Sequence, residues 1–198
     1  MRNILITSLL LVTLSTVAYA QNQKSLLSLN YAVSLPMGNT ADFIDQASGR
    51  GIVIDYQRFI TRNFAVGGEV GHTTLYKREE NKVYTEGTAS LSGVQYRYQY
   101  AYPILAIASY FPTMEGKIKP YGNFGLGTIA QQRKVDMGVF SADHTHWQFA
   151  IKPELGIIVE PAPNIGFKFG AKYNQSFASK DLDGQSSLVF NFGIVFIN

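Results

Sequence analysis

The run WQFAIKPELGIIV, residues 147–159, places a large apolar side chain at nearly every second position. Trp147, Phe149, Ile151, Pro153, Leu155, Ile157 and Val159 share one parity, and Gln148, Ala150, Lys152, Glu154 and Gly156 share the other. The run at 164–177 repeats the pattern, with Ile165, Phe167, Phe169, Ala171 and Tyr173 against Gly166, Lys168, Gly170, Lys172 and Asn174. A period of two is the signature of a β-strand, whose side chains point alternately to opposite faces. The chain must therefore build a sheet with one large apolar face and one small, charged face. What remains to be decided is which face is wet.

Similar runs recur along the chain at 26–35, 51–60, 64–76, 94–111, 120–132 and 188–197, giving about eight strands. The connections after the first, third, fifth and seventh runs are long (36–50, 77–93, 133–145, 178–187). Those after the second, fourth and sixth are mostly shorter (61–63, 112–119, 160–163). Eight strands with alternating long and short connections predict an all-β fold, an eight-stranded antiparallel up-and-down transmembrane β-barrel. Pro103 marks a place where the fourth strand can break or bulge, because proline cannot donate to a ladder.

The polar parity is rich in Gly, Ala, Ser and Asn. Such residues make a poor solvent-exposed strand surface. Inside a narrow barrel they leave room for a few large side chains. The charges on this parity are Glu69, Lys152, Glu154, Lys168 and Lys172, with Asp55 and Arg97 as further candidates, and buried charges need partners. The expected interior is therefore an ion-paired network that plugs the barrel. The apolar parity then faces lipid. Aromatic residues near strand ends, namely Tyr76, Trp147 and Tyr173 at one rim and Phe64, Tyr121 and Phe196 at the other, are expected to form girdles at the two interfaces.

The amino terminus supports export. Arg2, the apolar stretch from Ile4 to Val12 and the small-residue site Ala18-Tyr19-Ala20 read as a cleavable secretory signal over residues 1–20, leaving 21–198 as one barrel domain. The chain has no cysteine, which excludes a disulfide framework, thiolate metal sites and a lipid-bearing cysteine. Its formal charge of +3 is too mild to argue for nucleic acid. Tyr96-Arg97-Tyr98-Gln99-Tyr100, which has the look of a base-stacking platform, is better read as an interface strand.

Chemistry is sparse. His144 and His146 share a strand face but form an incomplete zinc site, and no metal or other cofactor is expected. Ser141, Asp143 and His144 are the residues available for a lipid acyltransferase, but nothing nearby supplies an oxyanion site. The reading is that the protein is not an enzyme. Lys77, Arg78, Arg133, Lys134 and Lys180 fall near the outer rim, where they would meet lipopolysaccharide phosphates. The expected role is structural or surface-interacting through extracellular loops, for a monomer in the bilayer. A small-solute channel is the alternative, and a lipid-modifying enzyme a more distant one.

Three stretches carry a resemblance: Ser34-Leu35-Pro36-Met37-Gly38-Asn39-Thr40, Gly51-Ile52-Val53-Ile54-Asp55-Tyr56 and Lys119-Pro120-Tyr121-Gly122-Asn123-Phe124-Gly125-Leu126-Gly127. With Pro153-Glu154-Leu155-Gly156 and the aromatic last strand, they resemble the small outer-membrane barrels of Bacteroidetes-type bacteria, the outer membrane protein beta-barrel domain family, with an OmpA/OmpX-like architecture. The resemblance implies the fold, no shared catalytic residues, and the outer-membrane assembly machinery as a partner during biogenesis. Barrels of this kind usually end on an aromatic residue, whereas here Phe196 stands two places before Asn198. Phe190, Phe192, Ile194 and Phe196 keep the parity of a terminal recognition strand. Replacing Phe196 by alanine and deleting Ile197 and Asn198 is expected to lower the folded, heat-modifiable yield in the outer-membrane fraction. An unchanged yield would rule out recognition through this strand.

Overall fold

The computed structural model describes residues 24–86, 89–137, 140–180 and 182–198. The secretory signal read over residues 1–20 lies outside them. Eight strands, β1 (Ser25–Met37), β2 (Ser48–Phe59), β3 (Phe64–Glu86), β4 (Ala89–Tyr110), β5 (Ile118–Met137), β6 (Phe140–Ala162), β7 (Ile165–Ser176) and β8 (Ser186–Ile197), pair with their chain neighbours. All pairs are antiparallel, and β1 closes on β8 to make an up-and-down barrel. Closure leaves no sheet edge along the wall. The two ends of the described chain meet at one rim, where Ser25 N donates to Asn198 O at 2.7 Å.

The apolar parity faces outward. Leu29, Ile54, Trp147, Phe149, Leu155, Phe167 and Phe192 are exposed, Leu155 by as much as 73%. The partner parity is buried: Lys152, Glu154, Lys168, Lys172, Asn30, Asn123 and Asn191 all point into the barrel. A barrel surrounded by water would instead keep its large apolar side chains off the exterior. A continuous apolar exterior over a polar interior is what a strand-built membrane protein requires. β4 runs through Pro103 without a change of register, pairing Val70 with Ile104 on one side of it and Thr73 with Ala101 on the other.

Two of the expected long loops are strand instead. Residues 77–86 extend β3, 89–93 begin β4, and 133–137 and 140–145 extend β5 and β6. β4 and β5 stay paired up to Gln95↔Met137. By contrast, β2 leaves β3 at Gly51↔Thr73 and β7 leaves β6 at Ala150↔Ser176. A four-stranded sheet, β3–β4–β5–β6, thus stands above the rest of the barrel. Above a membrane both faces of a strand meet water, so the alternation that marks a strand inside it fades, and the sequence there reads as loop.

The connection from β1 to β2 carries a short helix, α1 (Asn39–Phe43). Gly38 precedes it with φ +51°, a left-handed conformation that glycine adopts without strain. The helix folds over the barrel mouth: Thr40 Oγ1 donates to Gln185 Oε1 at 3.0 Å, Asn39 Nδ2 to Gly184 O at 2.9 Å, and Ile44 just beyond is fully buried.

Candidate functional site

The interior is layered. At the rim that holds both chain ends, Leu26, Phe59, Ala65, Phe111, Tyr121, Ile158, Val195 and Ile197 form an apolar cluster. Phe111 is drawn in by a pair of bonds with Asn63: its N–H donates to Asn63 O at 2.8 Å, and Asn63 Nδ2 donates to its carbonyl at 2.6 Å.

Above this cluster lies the charged layer. β2 supplies Asp55, β3 supplies Glu69, β6 supplies Lys152 and Glu154, and β7 supplies Lys168 and Lys172. Lys168 Nζ lies 2.8 Å from Asp55 Oδ1 and 3.8 Å from Glu154 Oε1. Lys152 Nζ lies 3.2 Å from Glu154 Oε2 and also pairs with Glu69, while Lys172 Nζ is 3.3 Å from Glu69 Oε1. The order Asp55–Lys168–Glu154–Lys152–Glu69–Lys172 alternates in sign along its whole length. Three carboxylates meet three ammonium groups, so the layer is neutral. Its members come from opposite walls, and the chain of ion pairs crosses the lumen.

Neutral hydrogen bonds complete the carboxylates. Tyr121 Oη donates to Glu154 Oε1 at 2.7 Å, Asn30 Nδ2 to Asp55 Oδ1 at 3.0 Å, and Gln57 Nε2 to Asp55 Oδ2 at 3.3 Å. Bonds to ionised groups are the stronger ones. Here they occupy lone pairs that would otherwise be stranded away from water. Tyr121, expected in an aromatic girdle, is therefore an interior residue, only 4% exposed. The reason is parity: it shares its face of β5 with Asn123 and Gly125, whereas Phe124 and Leu126 take the outer face. Of the other residues read as girdle, Phe64, Trp147, Tyr173 and Phe196 point outward. Tyr76 is half-buried, with its ring centroid 5.1 Å from that of Tyr98 and 5.8 Å from the Arg50 guanidinium carbon.

A third layer is made of amides. Gln99 Nε2 donates to Gln131 Oε1 at 2.7 Å, Ser176 Oγ donates to Gln148 Oε1 at 2.8 Å, and Gln148 Nε2 donates to Asp183 O at 2.9 Å. A cavity of about 50 Å³, lined in part by Ser34, Gln99, Gln131 and Ser176, lies against these amides.

Arg133 was expected to face lipopolysaccharide, but it turns into the mouth. Its Nη2 donates to Gln185 Oε1 at 2.6 Å, and its guanidinium sits 4.4 Å over the Phe43 ring. It shares the inward face of β5 with Gln131. The remaining rim cations do not converge. Lys77 is held by Asp45 at 3.1 Å and Glu79 at 2.8 Å, and Lys134 by Asp136 at 2.8 Å. The hydrogen bond from Lys77 keeps the Asp45 carboxyl below the usual carboxylate range. Arg78 and Lys180 are exposed.

The residues available for acyl transfer are also kept apart. Ser141 Oγ donates to Asp136 Oδ1 at 2.6 Å, and strand alternation puts Ser141 and Asp143 on the face opposite His144. His144 and His146 do share a face, their rings stacked 6.3 Å apart. Among the described residues no group of three or more His, Cys, Asp or Glu could hold a metal ion.

A closed eight-stranded barrel with an apolar exterior and an ion-paired interior defines the class of small integral outer-membrane proteins. The family model "Outer membrane protein beta-barrel domain" matches residues 6–196, and the chain belongs to that family. A search of curated protein sequences finds no match. Among solved structures, the chain is similar to Ail, the attachment invasion locus protein of Yersinia pestis, which was solved with the heparin analogue sucrose octasulfate. The two are 15% identical, with a TM-score of 0.55 over 90% of this chain and 100% of that one. Neisserial surface protein A is 13% identical, with a TM-score of 0.53 over 88% of this chain and 96% of that one. OprG from Pseudomonas aeruginosa is 11% identical, with a TM-score of 0.53 over 90% and 97%. At these identities the likeness is one of fold.

The neutrality of the charged layer can be tested by unbalancing it. Lys168→Met leaves Asp55 and Glu154 short of a cation and is expected to lower the unfolding free energy in urea by about 3–5 kcal/mol. Asp55→Asn in the same chain restores the charge count and should recover more than half of the loss. A Lys168→Met barrel within about 0.5 kcal/mol of the parent would contradict the pairing.

Proposed function

We propose that this protein is a closed outer-membrane barrel whose working part is its extracellular extension, in a structural or surface-interaction role. The observation that carries the reading is the sign-alternating chain of ion pairs from Asp55 to Lys172, which spans the lumen. An ion entering this layer would have to displace one of its charges from a partner, and each unpaired charge left in a low-dielectric interior costs several kcal/mol. The apolar cluster around Phe111 below and the amide layer with α1 above add further closures. With the lumen closed at three levels, the sheet β3–β4–β5–β6 is what remains to meet the outside. The attachment role in the name of Ail is a precedent for such a task on this fold. The bilayer is the constant partner, the monomer the working form, and the assembly machinery the partner during insertion. Any contact with lipopolysaccharide phosphates falls to exposed Arg78 and Lys180 rather than to all five rim cations.

The competing reading is a small-solute channel. Planar-bilayer recordings of the refolded barrel distinguish the two. A closed lumen predicts insertion without discrete current steps at neutral pH. Stable single-channel steps of one reproducible conductance would establish the channel instead.

A further inference from the structure

The two ends of the barrel differ in charge. The short connections 60–63, 111–117 and 163–164, together with both ends of the described chain, mark one rim as periplasmic. That rim holds five cationic side chains, Lys24, Arg58, Arg62, Lys117 and Lys119, and two carboxylate side chains, Glu115 and Glu160. The sequence segments 36–50, 75–100, 131–148 and 178–187, whose described parts form the other end, hold eight cations and nine carboxylates. The charged layer between the two ends is neutral. The excess positive side-chain charge of the barrel domain is therefore concentrated at the periplasmic rim.

Three of the five cations stand together. Phe59 N donates to Lys24 O at 3.0 Å and Ser25 pairs with Arg58, so the start of β1 lies beside the end of β2. Arg62 follows in the turn from β2 to β3, with Glu115 Oε1 2.9 Å from its Nη2. A cavity of about 490 Å³ opens here, lined in part by Lys24, Ile60, Thr61, Arg62 and Met114. Arg58 takes the last outward position inside β2: Ile52, Ile54 and Tyr56 precede it on that face, and Ile60 follows. Val66 of β3 lies opposite it. Tyr56, Ile60 and Val66 are all exposed on the lipid side. The cations thus border an apolar outer strip on one side and the periplasm on the other.

We propose that Lys24, Arg58 and Arg62 form a binding site for an anionic phospholipid of the inner leaflet, with its phosphate among the three cations and an acyl chain along Tyr56, Ile60 and Val66. The site requires the barrel to stand in a bilayer and no particular role for its extracellular sheet. Height favours a lipid, because Arg58 and Arg62 stand where β2 and its apolar strip end, and headgroups begin at that level. Long basic side chains at such a boundary lie along apolar neighbours and carry their charge out to the headgroups. Guanidinium groups match phosphate oxygens with paired hydrogen bonds. A zwitterionic headgroup would bring its own ammonium to a cluster of three cations and one carboxylate, whereas a headgroup of net negative charge brings none. A free phosphate or an acidic peptide would use the cations and leave the outward apolar strip unused.

Trp147, the single tryptophan of the chain, stands at the opposite rim, so a local reporter can be made. Trp147→Phe combined with Phe64→Trp puts the fluorophore beside Ile60, whose N–H donates to the carbonyl of residue 64 at 2.9 Å. The folded protein is placed in phosphatidylcholine vesicles with a growing fraction of phosphatidylglycerol dibrominated in its chains. Quenching at position 64 is expected to exceed that from dibrominated phosphatidylethanolamine, with a relative affinity of about fivefold or more. The parent protein, read at Trp147, should show a preference below about twofold. Lys24→Gln, Arg58→Gln and Arg62→Gln together should bring position 64 down to that level, with heat-modifiable migration showing that the barrel is folded. Free glycerol phosphate at ~10 mM should leave the quenching unchanged. Equal quenching by the two brominated lipids at position 64 overturns the proposal without reliance on the triple variant. So does an equal preference at Trp147, a preference that survives the triple substitution, or relief by glycerol phosphate, which would make this a site for free phosphate. Bilayer recordings read the lumen alone, so failure here leaves the closed-barrel reading to its own test.

Discussion

The structure depends on one constraint: charges inside a barrel of this width must neutralise each other. The six ionic side chains come from four strands on opposite walls, and each ammonium reaches at least one carboxylate. This fixes the register of β2, β3, β6 and β7 more firmly than apolar packing could. A slip of one residue would turn Lys152 and Glu154 toward lipid and Ile151 and Pro153 inward. The apolar exterior is the consequence of that choice of face. With polar atoms inside and every strand paired to two neighbours, lipid can surround the wall without meeting an unsatisfied backbone group.

Room for the layer comes from residues without side chains. A Cβ on Gly170 would lie 2.6 Å from Tyr121 Oη and 2.8 Å from Glu154 Oε1. A Cβ on Gly156 would meet the same tyrosine ring, 2.6 Å from Cζ. The two glycines form the slot through which Tyr121 reaches Glu154. Glycine lowers strand propensity, and its cost here is offset by a hydrogen bond to a buried carboxylate. The glycine-rich inward parity and the charges it accommodates are thus one feature.

Much of this was legible in the sequence because a period of two survives wherever one face is lipid and the other is lumen. Strand order, barrel closure and the inward direction of Lys152, Glu154, Lys168 and Lys172 follow from that period. Asp55 stood on the correct parity but carried no further signal, and only the fold brings it to Lys168. Height and parity disagree for Tyr121: its place near a strand end suggests a rim, its parity puts it inside, and parity decides. The same holds for Arg133. Above the membrane the rule loses its force, because neither face is lipid, and the upper halves of β3 to β6 read as loop. The approach of α1 and Phe43 to Arg133 depends on long-range contacts that no local pattern encodes.

The central claim is that the three lysines of the charged layer, Lys152, Lys168 and Lys172, are charged, paired and withheld from water. Nitrogen-15 NMR of the lysine side chains in lipid nanodiscs addresses it directly. The account predicts three ammonium resonances that exchange slowly with solvent at neutral pH, assigned to Lys152, Lys168 and Lys172 by their loss in single substitutions. If all lysine ammonium signals exchange at the rate of exposed lysines, the lumen is wet and the account of the interior is wrong.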